Sequence, residues 1–217
     1  MTFLWFAALI CALAYWRQVL EPVGPLRSVF KTASVALLGM IAMVMGQGVL
    51  ALALGLCALG DGLLSRDGDR SFMAGMASFA GGHVAYALLF LSVAGADADR
   101  LVQTPQVFAV LGLLILGVTM ALRILPAAGS LKAAVALYIP IILSMSFAAL
   151  TLPPSLTAGL VLAAAALFLL SDSLLAVEKF LLSEGAPLSH LLARIVWPTY
   201  WGSQALFLAA FTGVPMA

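Results

Sequence analysis

Two aspartates sit in nearly the same apolar frame, and their chemistry is the place to begin. One frame is Leu59-Gly60-Asp61-Gly62-Leu63-Leu64 and the other is Leu170-Ser171-Asp172-Ser173-Leu174-Leu175. A carboxylate within a lipid-facing helix costs roughly 2.5–3.5 kcal/mol on insertion scales, so it is normally paired or at work. Two such carboxylates brought together in low dielectric do not readily both ionise. One then serves as an acid and the other as a base, the pairing that general acid–base hydrolysis needs. For one membrane aspartate, a structural cross-link between helices is an equal reading. The matched pair favours a shared site, with Asp61 and Asp172 as the candidate catalytic residues.

The elements that must position them are membrane helices. The chain has 217 residues, of which 64% are hydrophobic and 9% charged. A water-facing domain carries about 25% charged residues, so this composition predicts an integral membrane protein of the all-α class. The net charge of +1 provides no basic patch for nucleic acid. Cys11 and Cys57 both fall in apolar stretches, which argues against a disulfide framework. A span takes about 20 apolar residues. Reading the breaks predicts a bundle of eight transmembrane helices in a single polytopic domain over residues 1–217, at 3–20, 29–46, 48–64, 72–94, 106–124, 131–150, 156–179 and 191–212. The breaks carry Gly46-Gln47-Gly48, the charged run from Ser65 to Asp69, and Pro105, Pro126, Pro153-Pro154 and Pro187. The first span lacks a basic leader and a cleavage site, so it reads as a retained helix rather than a signal peptide.

Basic residues set the expected orientation. Arg17, Arg27, Lys31, Arg66, Arg70, Arg123, Lys132, Lys179 and Arg194 follow the odd-numbered spans or lie at their ends, whereas Arg100 alone follows an even-numbered one. The positive-inside rule then puts the charged loops in the cytoplasm and both termini outside. Asp61 lies about one turn, and Asp172 about two turns, from the cytoplasmic end of helices that run in the same direction. Their frames are 111 residues apart, which fits a parallel four-plus-four repeat. Most other unusual polar groups share that half or the midplane, so the expectation is a cavity open to the cytoplasmic leaflet.

Several of those polar groups are candidate substrate-binding residues, each with a plainer alternative. His83 and Tyr86 share a face at i, i+3 and bind substrate or simply bridge helices. Tyr200 and Gln204 follow Pro198 by about a turn and bind substrate or satisfy the carbonyl that proline frees. Tyr138 lies two turns into the sixth span. Lys31 and Lys179 contact a phosphate headgroup or snorkel to the interface. Only two histidines exist, His83 and His190, too few for a three-histidine zinc site, so neither a metal nor another cofactor is expected.

Taken together, the ordered segments resemble a known family. They are Gly60-Asp61; Gly82-His83 through Tyr86; Tyr138 with Met145 and Ala148; Ser171-Asp172 through Ala176, then Lys179-Phe180; and Thr199-Tyr200 through Gln204. In type, order and spacing they are similar to the YhhN family of lysoplasmalogenases, over nearly the whole chain. The resemblance implies hydrolysis of the vinyl ether bond of a lysophospholipid, giving a fatty aldehyde and glycerophosphoethanolamine or glycerophosphocholine. It implies a lysophospholipid and membrane lipid as partners and a bacterial inner membrane as the location. Protonation of an enol ether gives an oxocarbenium ion, which parallels the two-carboxylate logic of glycoside hydrolysis. Which aspartate is the acid stays open at this level. Two rival readings also stay open. A proton-coupled transporter of a small lipid or solute would use intramembrane Asp and Lys. An intramembrane aspartyl protease would use two helix-borne aspartates, although Ala58 breaks the Gly-x-Gly-Asp pattern such enzymes carry.

Overall fold

The computed structural model describes residues 1–66, 68–183 and 185–213, so Asp67 in the Ser65–Asp69 break lies outside the described residues. Within them the chain is all-helical, with no strand. The helices are α1 (Thr2–Arg17), α2 (Pro25–Val44), α3 (Gly48–Leu64), α4 (Asp69–Leu91), α5 (Gln106–Ile124), α6 (Lys132–Leu150), α7 (Leu156–Leu181) and α8 (Pro187–Thr212). Single 3-10 turns at Ala98–Val102 and Gly129–Leu131 precede α5 and α6.

Two helices begin a turn earlier than the apolar pattern indicates. Pro25 and Pro187 lie in the first turns of α2 and α8. Proline's missing N–H is harmless there and its fixed φ favours helix entry, so it opens these helices rather than merely separating them. His190 consequently lies in the first turn of α8 and not in a loop. Ser155 caps α7 by accepting the Ala158 N–H at 3.0 Å.

Five helices are long and apolar enough to cross a membrane: α2, α4, α5, α7 and α6 with its preceding turn. The α1 and α3 helices are equally apolar but shorter, at 16 and 17 residues. The 26-residue α8 is diluted by His190, Arg194 and the run Thr199-Tyr200, Gly202-Ser203-Gln204. The outward faces are strongly apolar. Phe108, Ile115 and Leu122 on α5 are each about two-thirds exposed, a surface suited to hydrocarbon rather than water.

Packing follows chain order from α1 to α4; α4 then packs on α6, α7 on α6 and α8, and α8 returns to α2. The α5 helix lies outside this ring, against α6 and α7. The α3–α4 contact is close because glycines face it. A Cβ on Gly60 would lie 2.6 Å from the Phe79 ring, and one on Gly82 would lie 2.8 Å from Cys57 Sγ. Phe79 is itself held between Tyr200 and Phe168, with ring centroids at 5.6 and 6.4 Å, so it has little room to yield. Gly60→Ala is therefore expected to lower stability by about 1–3 kcal/mol, the usual range for overpacking. A detergent melting curve identical to wild type would show instead that the ring moves freely.

Candidate functional site

Every helix contributes to the wall of one cavity of about 540 Å³, from Tyr15 on α1 to Tyr200 on α8. Both aspartates line it. It also reaches Arg27, Arg66 and Lys179, so it extends to the end of the bundle that carries most of the basic residues. One side of the wall, built by Leu116, Met120, Ile139, Ile142 and Leu143, is apolar.

Each aspartate stands in its own polar cluster. Asp61 is almost fully enclosed, at 1% exposure, and Lys31 Nζ lies 3.3 Å from its Oδ1. The Tyr200 hydroxyl donates to Oδ2 at 2.8 Å. Asp172 is more open, at 13%. Its Oδ2 accepts the Tyr138 hydroxyl at 2.5 Å and lies 3.1 Å from His83 Nε2. That nitrogen is also 3.1 Å from the Tyr138 oxygen, so the three groups form a closed triangle. His83 is fully buried, packs against the Phe168 ring at 4.3 Å, and turns Nδ1 to Met145 Sδ at 3.2 Å.

The two clusters are built to one plan. Asp61 on α3 takes one partner from the preceding helix, Lys31 on α2, and one from α8. Asp172 on α7 takes one partner from the preceding helix, Tyr138 on α6, and one from α4. Counting four helices per half, each aspartate meets a side chain from its own half and one from the last helix of the other. The residues flanking the aspartates serve packing. Gly60 admits Phe79, and the Ser171 hydroxyl donates to the Val196 carbonyl at 3.1 Å, tying α7 to α8.

Of the candidate residues, Lys31, Tyr138 and Tyr200 meet an aspartate and line the cavity. His83 meets Asp172 from behind and is not part of the cavity wall. Tyr86 and Gln204 are not part of it either. The Tyr86 hydroxyl donates to Gln204 Oε1 at 2.6 Å in a fully buried bond between α4 and α8, and Tyr86 stacks on Phe207 at 4.2 Å. Helical spacing put His83 and Tyr86 on one face correctly, but that face looks into the bundle core. Lys179 is exposed at the rim, its ammonium 5.1 Å from the Phe72 centroid.

Pro198 removes the N–H that would bond the Arg194 carbonyl. That carbonyl is taken by the Trp16 indole N–H at 3.0 Å, and Trp197 in turn donates to the Ala12 carbonyl at 3.0 Å. Trp16 and Trp197 thus knit α1 to α8. A tryptophan immediately before a helix-interior proline, Trp197-Pro198, was the available clue in sequence, but nothing in the spacing identified its partner. No group of three or more His, Cys, Asp or Glu side chains suited to a metal ion occurs among the described residues.

This ordered constellation coincides with the profile of the YhhN family, which matches residues 26–211. The chain belongs to the YhhN family. Comparison with curated proteins and with solved structures returns no match. The YhhN profile begins inside α2, so α1, which supplies Tyr15 to the cavity, precedes the matched segment.

Proposed function

We propose that this YhhN protein is a membrane-embedded hydrolase that cleaves the vinyl ether bond of a lysoplasmalogen. The products are a fatty aldehyde and glycerophosphoethanolamine or glycerophosphocholine. The observation that carries the reading is the presence of both carboxylates on the wall of one cavity, each braced by a tyrosine hydroxyl and one basic side chain. The cavity volume, about 540 Å³, falls within the usual range for small-molecule sites. Its apolar side suits an alkenyl chain. In this reading all eight helices cross the bilayer, the cavity faces the cytoplasmic half, and both termini lie outside.

The unequal partners of the aspartates suggest a division of labour. Asp61 forms an ion pair with Lys31 and so supplies the negative charge that stabilises a cation. Asp172, bonded to Tyr138 and His83, supplies the proton. Protonation of the β-carbon breaks the carbon–carbon double bond and leaves an oxocarbenium ion. Water adds to its α-carbon, returning a proton to the Asp172 carboxylate. The hemiacetal then transfers its hydroxyl proton to the glycerol oxygen as the C–O bond breaks, releasing the aldehyde. Atoms balance with water as the only co-substrate, and the catalytic acid is restored. Tyr200, Tyr138 and His83 hold the two carboxylates in place, and His83 acts through Asp172 rather than on substrate.

The direct test is aldehyde release from a vinyl ether lysophospholipid by the purified protein in detergent. Lipid flux into liposomes without aldehyde would favour transport instead. Because no step calls on a metal, a chelator is expected to leave the rate within about twofold of its untreated value. Loss of turnover on chelation, restored by adding back a divalent ion, would overturn the metal-free scheme.

A further inference from the structure

The basic residues on the first turns of α2 have unequal commitments. Lys31 is held by Asp61. Arg27, one turn earlier on the same face, has no acidic partner, since the ion pairs among the described residues are Lys31–Asp61 and His83–Asp172. One Nη of Arg27 donates to the Val19 carbonyl at 3.0 Å, while its Nε–H is enclosed without any partner. The enclosed Nε is out of a ligand's reach, so a ligand in the cavity meets this guanidinium through its Nη–H groups.

Arg27 also has a seat. Its guanidinium carbon lies 5.6 Å from the centre of the Tyr15 ring, and Lys31 Nζ lies 5.7 Å from the same ring. Tyr15 is only 6% exposed and meets the edge of Trp197 at 4.3 Å. Trp197 is anchored in turn by its bond to the Ala12 carbonyl. Two cations thus face the cavity on one rigid aromatic floor, with one carboxylate between them. Lys31 takes that carboxylate, and Arg27 is in no ion pair among the described residues. A guanidinium offers several N–H groups in one plane, which fits phosphate oxygens better than an ammonium does.

The geometry points to Arg27, seated on Tyr15, as the residue that binds the phosphodiester group of a single-chain phospholipid in this cavity. This assignment rests on the cavity being the lysophospholipid site. It moves the phosphate contact from Lys31, which is committed to Asp61, and from Lys179, which lies exposed on Phe72 at the rim. Tyr15 is a positioning residue here, acting through Arg27.

Binding to the purified full chain tests this without any catalysis. The probes are a saturated 1-O-alkyl lysophospholipid, which has no vinyl bond to cleave, and the 1-O-alkylglycerol of the same chain length, which has no phosphate. Wild type is expected to prefer the phospholipid, and Arg27→Gln to weaken that ligand about tenfold or more while leaving alkylglycerol affinity unchanged. The second ligand thereby checks that the variant is folded. Arg27→Lys should be intermediate; Tyr15→Phe should bind as wild type and Tyr15→Leu should follow Arg27→Gln in direction. Equal phospholipid affinity in wild type and Arg27→Gln would overturn the assignment, as would a loss seen in Lys179→Gln instead. Inorganic phosphate that competes as strongly as the lipid would reassign the residue to free phosphate and overturn the headgroup reading. Arg27-dependent binding by a protein that releases no aldehyde would leave this assignment standing while the hydrolase reading fell.

Discussion

Replacing Asp172 with asparagine is expected to cut aldehyde release about a thousandfold, within the range typical of losing a positioned general acid or base. Asparagine has the same shape and still accepts the Tyr138 hydroxyl, which lies 2.5 Å from Oδ2 in the wild type. It holds no transferable carboxyl proton, so the loss falls on chemistry rather than on folding. Asp61→Asn is expected to produce a comparable loss for a different reason. The amide still accepts the Tyr200 hydroxyl, 2.8 Å from Oδ2 in the wild type, but gives the developing cation no negative charge. The measurement is single-turnover aldehyde release, with alkyl lysophospholipid binding as the check on the fold. Either asparagine variant turning over at the wild-type rate would falsify the catalytic pair.

Lys31→Met is expected to be the most destabilising single change in the site. It removes the ammonium that lies 3.3 Å from a carboxylate with 1% exposure. Breaking a buried ion pair from one side costs roughly 3–5 kcal/mol, because the remaining charge is stranded. Tyr200 still donates to the other oxygen, which argues for the lower end of that range. The double variant Lys31→Met/Asp61→Asn removes both charges and is expected to regain most of the loss, although it remains inactive. Thermal unfolding of wild type, Lys31→Met, Asp61→Asn and the double variant in one detergent reads the coupling directly. A double variant no more stable than Lys31→Met would mean that the loss does not come from stranding the Asp61 charge.

These expectations divide according to what the chain makes visible. Helix positions were legible because a hydrophobic stretch of fixed length and a turn signal are local properties. The middle spans, such as 48–64 and 106–124, coincide with α3 and α5 as observed. The starts of α2 and α8 were misjudged by a turn because proline both ends and opens helices, and only the backbone on either side decides which. Among the candidate residues, Asp61, Asp172, Lys31, Tyr138 and Tyr200 were conspicuous as polar groups in apolar stretches, and they line one cavity, in two separate clusters. Tyr86 and Gln204 were equally conspicuous, yet they satisfy each other across α4 and α8. A polar side chain on an apolar helix announces that it has a partner but not whether the partner is protein or ligand. Arg27 was read only as an orientation charge, because basic residues at a helix end are ordinary features of a membrane boundary.

By itself the sequence determined the helical class, the approximate helix positions, the two carboxylates of the candidate site and the family to which the chain belongs. All of these follow from residue type and spacing along one strand of chain. The tertiary structure decided who pairs with whom. It joined Lys31 and Tyr200 to Asp61, set Tyr138 and His83 on Asp172, put His83 behind the cavity wall, and seated Arg27 on Tyr15 with no acidic partner among the described residues. Those pairings connect helices far apart in sequence. They depend on interhelical distances of a few ångströms, which close contacts such as Gly60 on Phe79 set and which no periodicity along a single helix encodes.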